Sequence, residues 1–392
     1  MNNIETEIKI DDYFLNNYKD KDNYEWKILK PKKTPKNGTF IFYGEHLKDK
    51  DEFIYVKQIK FHSEENNNIL KEIYFLILLR NNDYFVKLDD ILLKKESNGY
   101  KCVFLAFKNN CINLLKFIYN SILVNQNNNY KGTDYLQNKV LIKWIIYQIT
   151  FGLYNLHHYK NIIHNDIKPS NILIDNQSQI KICDFGSMSY KGEKSNSFTL
   201  SYSSPEYLND DKIIRDEKSD MWALGLIILE LFLKKISYLK INDDQQSEEY
   251  DTTNNEKQLN LILSKFGINK NISKEELNKL INGVDSYKEY KFKLDKDEID
   301  KINDRDALDL IYNLLVLNKN KRYSAEQVIK SRYLKQYLDC VKELDLPNLK
   351  NMKNILDYNQ YKNYFFSTNL NEEQFETIYN YLYNKLNDSK NM

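Results

Sequence analysis

IIHNDIKPSNILIDNQSQIKICDFG, residues 162–186, sets charged and strongly polar groups between apolar pulses and closes on Asp184-Phe185-Gly186. Unpaired polar groups beside buried strands are costly, so Asp166, Lys168, Asn171 and Asp184 need partners, and a shared site supplies them. Ile172-Leu173-Ile174 has the signature of a buried strand, Asp175-Asn176-Gln177-Ser178 are turn formers, and Gln179 to Cys183 alternates as a second strand should. With the turn centred between Gln177 and Ser178, pairing sets Asn171 across from Asp184, about 5 Å away. An amide oxygen and a carboxylate so placed suit magnesium, which takes oxygen ligands and borrows others from phosphates and water. Asp166 and Lys168 precede that end in a short loop stiffened by Pro169. The carboxylate can accept a proton from a hydroxyl nucleophile, and the ammonium can offset charge on a transferred phosphoryl group. Singly, each residue is more often a turn former or a solvated charge; four at matching spacing point to a site.

The rest of the chain bounds what that site can serve. At 392 residues and 42% hydrophobic, the sequence can bury a large core. Lys+Arg (57) and Asp+Glu (56) nearly cancel, so no overall field argues for nucleic acid or a membrane surface. Cys102, Cys111, Cys183 and Cys340 show no zinc-like or disulfide-like spacing. MNNIETEIKIDDYF lacks a charged-then-apolar leader pattern, and the apolar run from Leu224 to Leu233 is too short to span a bilayer and contains Glu230. These features predict a soluble intracellular protein, cytoplasmic by default.

Between residues 26 and 110, GTFIFYG, EFIYVKQIKF and KCVFLAF predict a small sheet interrupted by one helix, ILKEIYFLILL. After about residue 135 the pattern turns helical, in YLQNKVLIKWIIYQITFGLYNLHH, SDMWALGLIILELFL and DALDLIYNLLVL. Asn-rich stretches from Ser63, Asn125 and Asn242 predict surface loops. In the tail, Phe375, Ile378, Tyr379, Leu382 and Leu386 recur at helical spacing after Asn369 and Glu372, as a helix packed on the body or, less often, one that binds a partner.

His164 to Asn171 resembles the catalytic loop of eukaryotic-type protein kinases, and Asp184-Phe185-Gly186 resembles their metal-binding motif. Such kinases hold the nucleotide with a small-lobe lysine paired to a helix glutamate. In FIYVKQIKF, alternation puts Lys57 on one face with Phe53, Tyr55 and Ile59, and Glu72 lies beside the apolar stripe Ile69, Ile73, Leu76 and Leu79 of the following helix. Each is the other's expected partner. Thr199, Tyr202 and Ser204-Pro205-Glu206 resemble the end of the activation segment, with Ser204 replacing the usual alanine. Asp220 to Gly225 resembles the start of the central large-lobe helix, and Arg322 falls where the family pairs an arginine with the glutamate matching Glu206.

The resemblance covers roughly residues 25 to 338 and implies an α+β, two-lobed protein kinase fold: a small antiparallel-sheet N-lobe with one main helix, and a large, mainly helical C-lobe. It places an N-terminal extension at 1–24, the kinase domain at 25–338 and a helical C-terminal tail at 339–392. Within the domain the N-lobe is about 25–107, the C-lobe about 113–338 and an Asn-rich insertion about 240–258. It implies ATP and Mg2+ as cofactors and a protein substrate as partner, with room for a regulatory partner at the insertion or the tail. Asp166 and Lys168 would be catalytic, and Asn171 and Asp184 would hold metal. Lys57, Glu72, Gly38, Ile41, Leu105, Lys108 and Leu173 would surround the nucleotide, with the adenine-contacting hinge near Leu105 to Lys108. Thr199 and Glu206 would shape the activation segment, and His164, Asp220 and Arg322 would give structural support. Lys168, Thr199 and the IKPSN context are similar to the serine/threonine branch. EKQLNLILSKFGI is similar to part of the insert of cyclin-dependent and mitogen-activated kinases, although Ser203 stands where that subgroup has arginine.

Three departures stand out. The stretch LKPKKTPKNGTFIFYG offers only Gly38 and, beyond the turn, Gly44, and its two prolines remove donors. Losing two charge-assisted backbone contacts costs on the order of 3 kcal/mol of nucleotide binding, offset in part if Lys32, Lys33 or Lys36 reaches the phosphates. Tyr55 sits where the family has a small alanine over the adenine ring. Asn165 replaces the arginine that reads an activation-loop phosphate, so phosphorylation of Ser195 or Ser197 is expected to be dispensable. The leading expectation is a serine/threonine protein kinase; the alternative is a pseudokinase acting as a scaffold or partner-binding module.

Overall fold

The computed structural model describes residues 26–29, 39–46, 53–60, 66–96, 99–108, 111–126, 134–193, 198–210, 214–240, 252–269, 272–282, 290–335 and 372–390. The chain divides into two compact units, residues 1–111 with 351–392, and residues 112–350.

Five antiparallel strands build the first unit: β1 (Trp26–Leu29), β2 (Thr39–His46), β3 (Phe53–Lys60), β4 (Asp90–Glu96) and β5 (Gly99–Lys108), in spatial order β1-β2-β3-β5-β4. Strand alternation sends Ile54, Val56 and Gln58 of β3 to a fully buried face, where Phe42, Cys102, Phe104 and Ala106 complete an apolar cluster. The opposite face carries Phe53, Tyr55 and Lys57, each only half-buried. The face holding Lys57 is thus the less enclosed of the two. β4 was not anticipated; its short alternation is broken by a register shift between Lys94 and Lys95.

Helix α1 (Asn66–Leu79) is longer than its apolar stripe, because the asparagines read as loop from Ser63 form its first turn. It is buried on nearly all sides from Ile69 to Leu79. One side is covered by the C-terminal helix, Glu372–Lys390, whose Ile378, Tyr379, Leu382 and Leu386 are all buried. Arg80 Nη1 donates to the Leu386 carbonyl at 2.9 Å, and Lys95 meets Glu376 at 3.4 Å. The tail helix is therefore part of the first unit's core, and its apolar face is already occupied. Phe375's side chain and Asn369 lie outside the described residues.

The second unit is mainly helical. Helix α2 spans Leu114–Gln126, and α3, Lys139–Tyr154, starts where Asn138 Oδ1 accepts from the Val140 and Leu141 amides. α3 runs into a wide turn, Asn155–Lys160, that Asn161 closes at φ 53°. Short strands β6 (Ile162–Ile163) and β9 (Ser189–Tyr190) pair, as do β7 (Ile172–Asp175) and β8 (Ile180–Ile182). Beyond α4 (Pro205–Asn209), helix α5 (Glu217–Leu233) is buried without a break from Ser219 to its end. A Cβ at Gly225 would lie 2.8 Å from Leu315 Cδ2, so only glycine lets α5 approach that neighbour so closely. α6 (Thr252–Lys265), α7 (Lys274–Asn282), α8 (Lys296–Ile302), α9 (Arg305–Leu314) and α10 (Ala325–Ile329) follow.

Helix α6 corrects one expectation. Thr252 to Gln258, read as the end of an Asn-rich insertion, forms its opening turns, and Asn254, Asn255 and Gln258 are buried. Gln258 Nε2 donates to the Leu239 carbonyl at 2.8 Å, which gives a partner to the NH2 of an amide that composition assigned to solvent. Residues 241–251 lie outside the described residues. Cys102, Cys111 and Cys183 are free thiols. Among the described residues no helix is long and apolar enough to cross a membrane.

Candidate active site

In the second unit, the β6–β9 pair delivers the chain to His164, and the loop that follows is pinned from below by α5. Asp220, in the first turn of α5, accepts the His164 amide at 2.8 Å and the Asn165 amide at 2.9 Å, while His157 Nε2 lies 2.9 Å from the same carboxylate. Burial pushes the Asp220 carboxyl up, but the hydrogen bond and charge of His157 outweigh it with the help of His164 and hold the group below its ordinary value. His164 is fully enclosed. Its Nδ1 lies 3.3 Å from the Asp166 amide and its Nε2 3.2 Å from the Cys183 carbonyl, and burial favours its neutral form. Asn165 takes φ 66°, in the left-handed region that asparagine tolerates better than most residues, and this turn presents Asp166.

Four side chains converge there. Asp166 Oδ2 accepts from Lys168 Nζ at 2.6 Å and from Asn171 Nδ2 at 3.0 Å. Its Oδ1 accepts from the Thr199 hydroxyl at 2.6 Å, and Lys168 Nζ donates to that hydroxyl at 2.7 Å. Pro169-Ser170-Asn171 makes a single 3-10 turn, closed by the Asn171 amide on the Lys168 carbonyl, and this brings Asn171 back over Asp166. Its amide NH2 is used on the Asp166 carbonyl (2.9 Å) and carboxylate, leaving Oδ1 as an acceptor without a partner among the described residues.

The β7–β8 register corrects the spacing argument. Ile172 pairs with Ile182 and Ile174 with Ile180, so the hairpin is centred on Gln177 and the Cys183 amide donates to the Asn171 carbonyl. Asp184 is one residue beyond Asn171's partner. The cause is an odd-length loop: Asp175 Oδ1 accepts both the Gln177 and Gln179 amides at 2.8 Å, and Ser178 takes φ 62°. A slip of one residue would have turned Asp184 to the other strand face. Instead Asp184 leaves the strand at φ 68°, with an exposed carboxylate. Leu173 is half-buried opposite Lys181. Among the described residues no three His, Cys, Asp or Glu side chains cluster as a protein-only metal site.

The activation segment ends in a buried pair. Arg322 Nη1 and Nη2 meet the two oxygens of Glu206 at 2.8 and 2.9 Å, both side chains enclosed, and the remaining guanidinium donors reach the Lys218 and Val316 carbonyls. Every polar atom of the arginine is thereby satisfied, the condition under which a buried ion pair holds. Ser195 and Ser197 lie outside the described residues.

In the first unit, Lys57 Nζ meets Glu72 Oε1 at 2.6 Å, with side chains 19% and 7% exposed. Ile41 sits opposite Lys57 on β2, and Leu105 opposite it on β5. Leu105 is fully buried, whereas Lys108 is exposed and its amide donates to the Asp89 carboxylate. That amide is therefore taken within the unit. Tyr55 packs its ring 5.4 Å from Tyr43 and donates its hydroxyl to the Cys111 carbonyl at 3.3 Å. Burial, then the charges of Tyr43 and Cys111, pushes its phenol up to about 12. Gly38, Pro31, Pro35, Lys32, Lys33 and Lys36 lie outside the described residues; Gly44 is buried in β2.

The second unit thus holds a hydroxyl and an ammonium on one aspartate and, separately, a bidentate Arg–Glu pair, and the first unit holds a strand lysine on a helix glutamate. The model of the protein kinase domain matches residues 41–334. This chain is a member of the protein kinase domain family. It is 40% identical over 114 residues to a dual specificity protein kinase, FUZ7, of Mycosarcoma maydis, covering 28% of this chain and 25% of that one. It is 41% identical over 106 residues to mitogen-activated protein kinase kinase 2 of Arabidopsis thaliana (26% and 29%), and 38% over 103 residues to mitogen-activated protein kinase kinase 1 of the same plant (25% and 28%). The chain thus spans between a quarter and three tenths of the length of the curated relatives it matches.

Two residues that hold the Asp166 loop were not foreseen: His157, 2.9 Å from the Asp220 carboxylate, and Arg215, whose Nη1 donates to the Asn165 carbonyl at 2.7 Å. His157 lies in a segment that reads as a helix end, and Arg215 falls between the motif that ends at Glu206 and the one that starts at Asp220.

Proposed function

We propose that the chain is a Mg2+-dependent serine/threonine protein kinase that transfers the γ-phosphoryl group of ATP to protein hydroxyls. The observation that carries this reading is the Thr199 hydroxyl, held at once by Asp166 (2.6 Å) and Lys168 (2.7 Å). A serine or threonine hydroxyl fits between a proton acceptor and a cation there, within hydrogen-bond reach of both. Asp166 orients the nucleophile and takes its proton, and Lys168 offsets charge on the phosphoryl oxygens. Asn171 and Asp184 would hold magnesium, since each offers an oxygen and this cation takes its other ligands from phosphate and water. Bound there, it would supply positive charge to offset that of the phosphates during transfer. Lys57, steadied by Glu72, anchors the α/β-phosphates, and the adenine contact lies near Leu105 to Lys108, at the end of the strand that pairs with Lys57. We take the catalytic domain to run from about 25 to 338, with the tail from 339 outside it as a sequence unit.

The test is transfer from γ-labelled ATP to a generic basic protein, with magnesium and with a chelator, followed by phosphoamino-acid analysis. Phosphoserine or phosphothreonine formed only with magnesium is expected. Phosphotyrosine would move the chain to dual specificity, the term in the name of the Mycosarcoma maydis relative. A second reading, a pseudokinase scaffold, is favoured by Tyr55, whose ring is tethered at Cys111 beside the strand expected to receive the base. Absence of transfer from a folded chain would select it.

A further inference from the structure

The arginine that the family sets before its catalytic aspartate is here Asn165, and this side chain turns inward, donating to the Ser187 carbonyl and Ser189 hydroxyl at 2.9 Å. A different arginine approaches the same loop from another element. Arg215 Nη1 donates to the Asn165 carbonyl at 2.7 Å, one peptide from Asp166. Its guanidinium lies 3.6 Å from the centroid of Tyr207 and 4.8 Å from that of Phe198, two rings packed edge to face at 4.9 Å. Phe198 adjoins Thr199, the residue that bonds Asp166. One buried cation therefore touches the catalytic loop, the activation segment and α4.

Such contact with two aromatic faces is worth more when desolvated than at a surface, and Arg215 is only 6% exposed. Beside it lies a hollow of about 10 Å3, lined among others by Asn165, Thr199, Ser204 and Asp220. The Ser204 hydroxyl and Arg215 Nε and Nη2 find no hydrogen-bond partner among the described residues. That space suits a single water and is too small for a phosphate group. The charges near the guanidinium, Asp166 and Asp220, are also negative and would repel a phosphate.

We propose that Arg215 is the positioning residue of the catalytic loop, a cation–π clamp that fixes Asp166 against Thr199 without an activation-loop phosphate. The proposal rests on the kinase reading for its catalytic consequence, but not for its structural one. Lysine at 215 keeps the charge yet lacks the plane that stacks on Tyr207, and leucine at 198 removes one ring while keeping an apolar side chain.

The experiment uses the full chain, with Arg215→Lys and Phe198→Leu, and reads amide hydrogen exchange by mass spectrometry beside kcat and KM. In Arg215→Lys, exchange at residues 163–168 and 198–204 should rise at least tenfold while residues 224–233 of α5 stay protected. kcat should fall at least tenfold with KM for ATP within twofold, and Phe198→Leu should move both readouts the same way by less. Phosphatase treatment of the unmodified chain should change neither. Unchanged exchange at both segments would overturn the proposal. So would a uniform rise across the unit, which marks Arg215 as a general packing residue, or loss of protection after phosphatase treatment. If the unmodified chain transfers no phosphate, the kinase reading falls while the exchange pattern still decides the clamp.

Discussion

Replacing Glu230 by glutamine should remove a pH dependence that this one side chain imposes on stability. Glu230 is wholly enclosed in α5. Tyr202 Oη donates to its two oxygens at 3.1 and 3.0 Å and the Tyr238 amide to one of them at 2.9 Å, and no cation pairs with it among the described residues. Burial pushes its carboxyl from 4.5 up to about 7, against the opposing pull of those donors. The folded state therefore keeps a proton that the unfolded chain has already lost. Stability from this group is full below pH about 4.5 and is lost as pH rises through about 7, at up to about 1.4 kcal/mol per pH unit and about 3 kcal/mol in all. Glutamine holds the same shape without titrating. Urea unfolding followed by tryptophan fluorescence, with Trp222 buried in the same helix, gives both stabilities at each pH. The difference between native and Glu230→Gln should swing by about 3 kcal/mol in favour of the variant from pH 4.5 to 7.5. Parallel curves across that window would refute the argument.

Four other outcomes follow from the contacts described. Arg322→Met should cost about 3–5 kcal/mol, because it leaves the Glu206 carboxylate buried without its cation; a loss under about 1 kcal/mol in denaturant titration would contradict this. Leu382→Ala and Leu386→Ala should each cost about 2–5 kcal/mol of the first unit's stability, read as a lower midpoint for its unfolding step. Tyr55→Ala should tighten ATP binding in calorimetry by opening the space tethered at Cys111, and an unchanged or weaker Kd would remove Tyr55 as an obstacle. Lys57→Met should weaken ATP binding more than tenfold and also lower the melting point of the first unit, since it leaves the buried Glu72 carboxylate without its cation; an unchanged melting point would contradict this.

The sequence was most informative where chemistry and periodicity agreed. Lys57 and Glu72 could be matched because a strand of period two and a helical stripe each left one charge facing apolar neighbours, and the structure joins them. Arg322 and Glu206, 116 residues apart, were matched only through the family pattern, since nothing local in NKNKRYSAEQVI marks a fully buried arginine. The hairpin was legible as a hairpin but not in register, because an aspartate accepting two amides and a serine at positive φ decide loop length, and composition does not encode either. Polar composition misled at Thr252–Gln258, where Asn254, Asn255 and Gln258 are buried and the Gln258 amide finds a backbone acceptor at Leu239. Arg215 was illegible for a related reason: its partners Asn165, Phe198 and Tyr207 come from three separate stretches, and only folding gathers them.

The central claim is that Asp166 does chemistry rather than merely fill a loop. Its most direct test is single-turnover transfer from γ-labelled ATP with saturating magnesium, comparing the native chain with Asp166→Asn, a swap that keeps the shape and leaves one oxygen to accept from Asn171 and Lys168, while the new NH2 can only donate towards Thr199. A fall of about 10² to 10⁴ in the transfer rate, with ATP affinity and the melting transition unchanged, is the predicted result. Equal rates for the two proteins would contradict it.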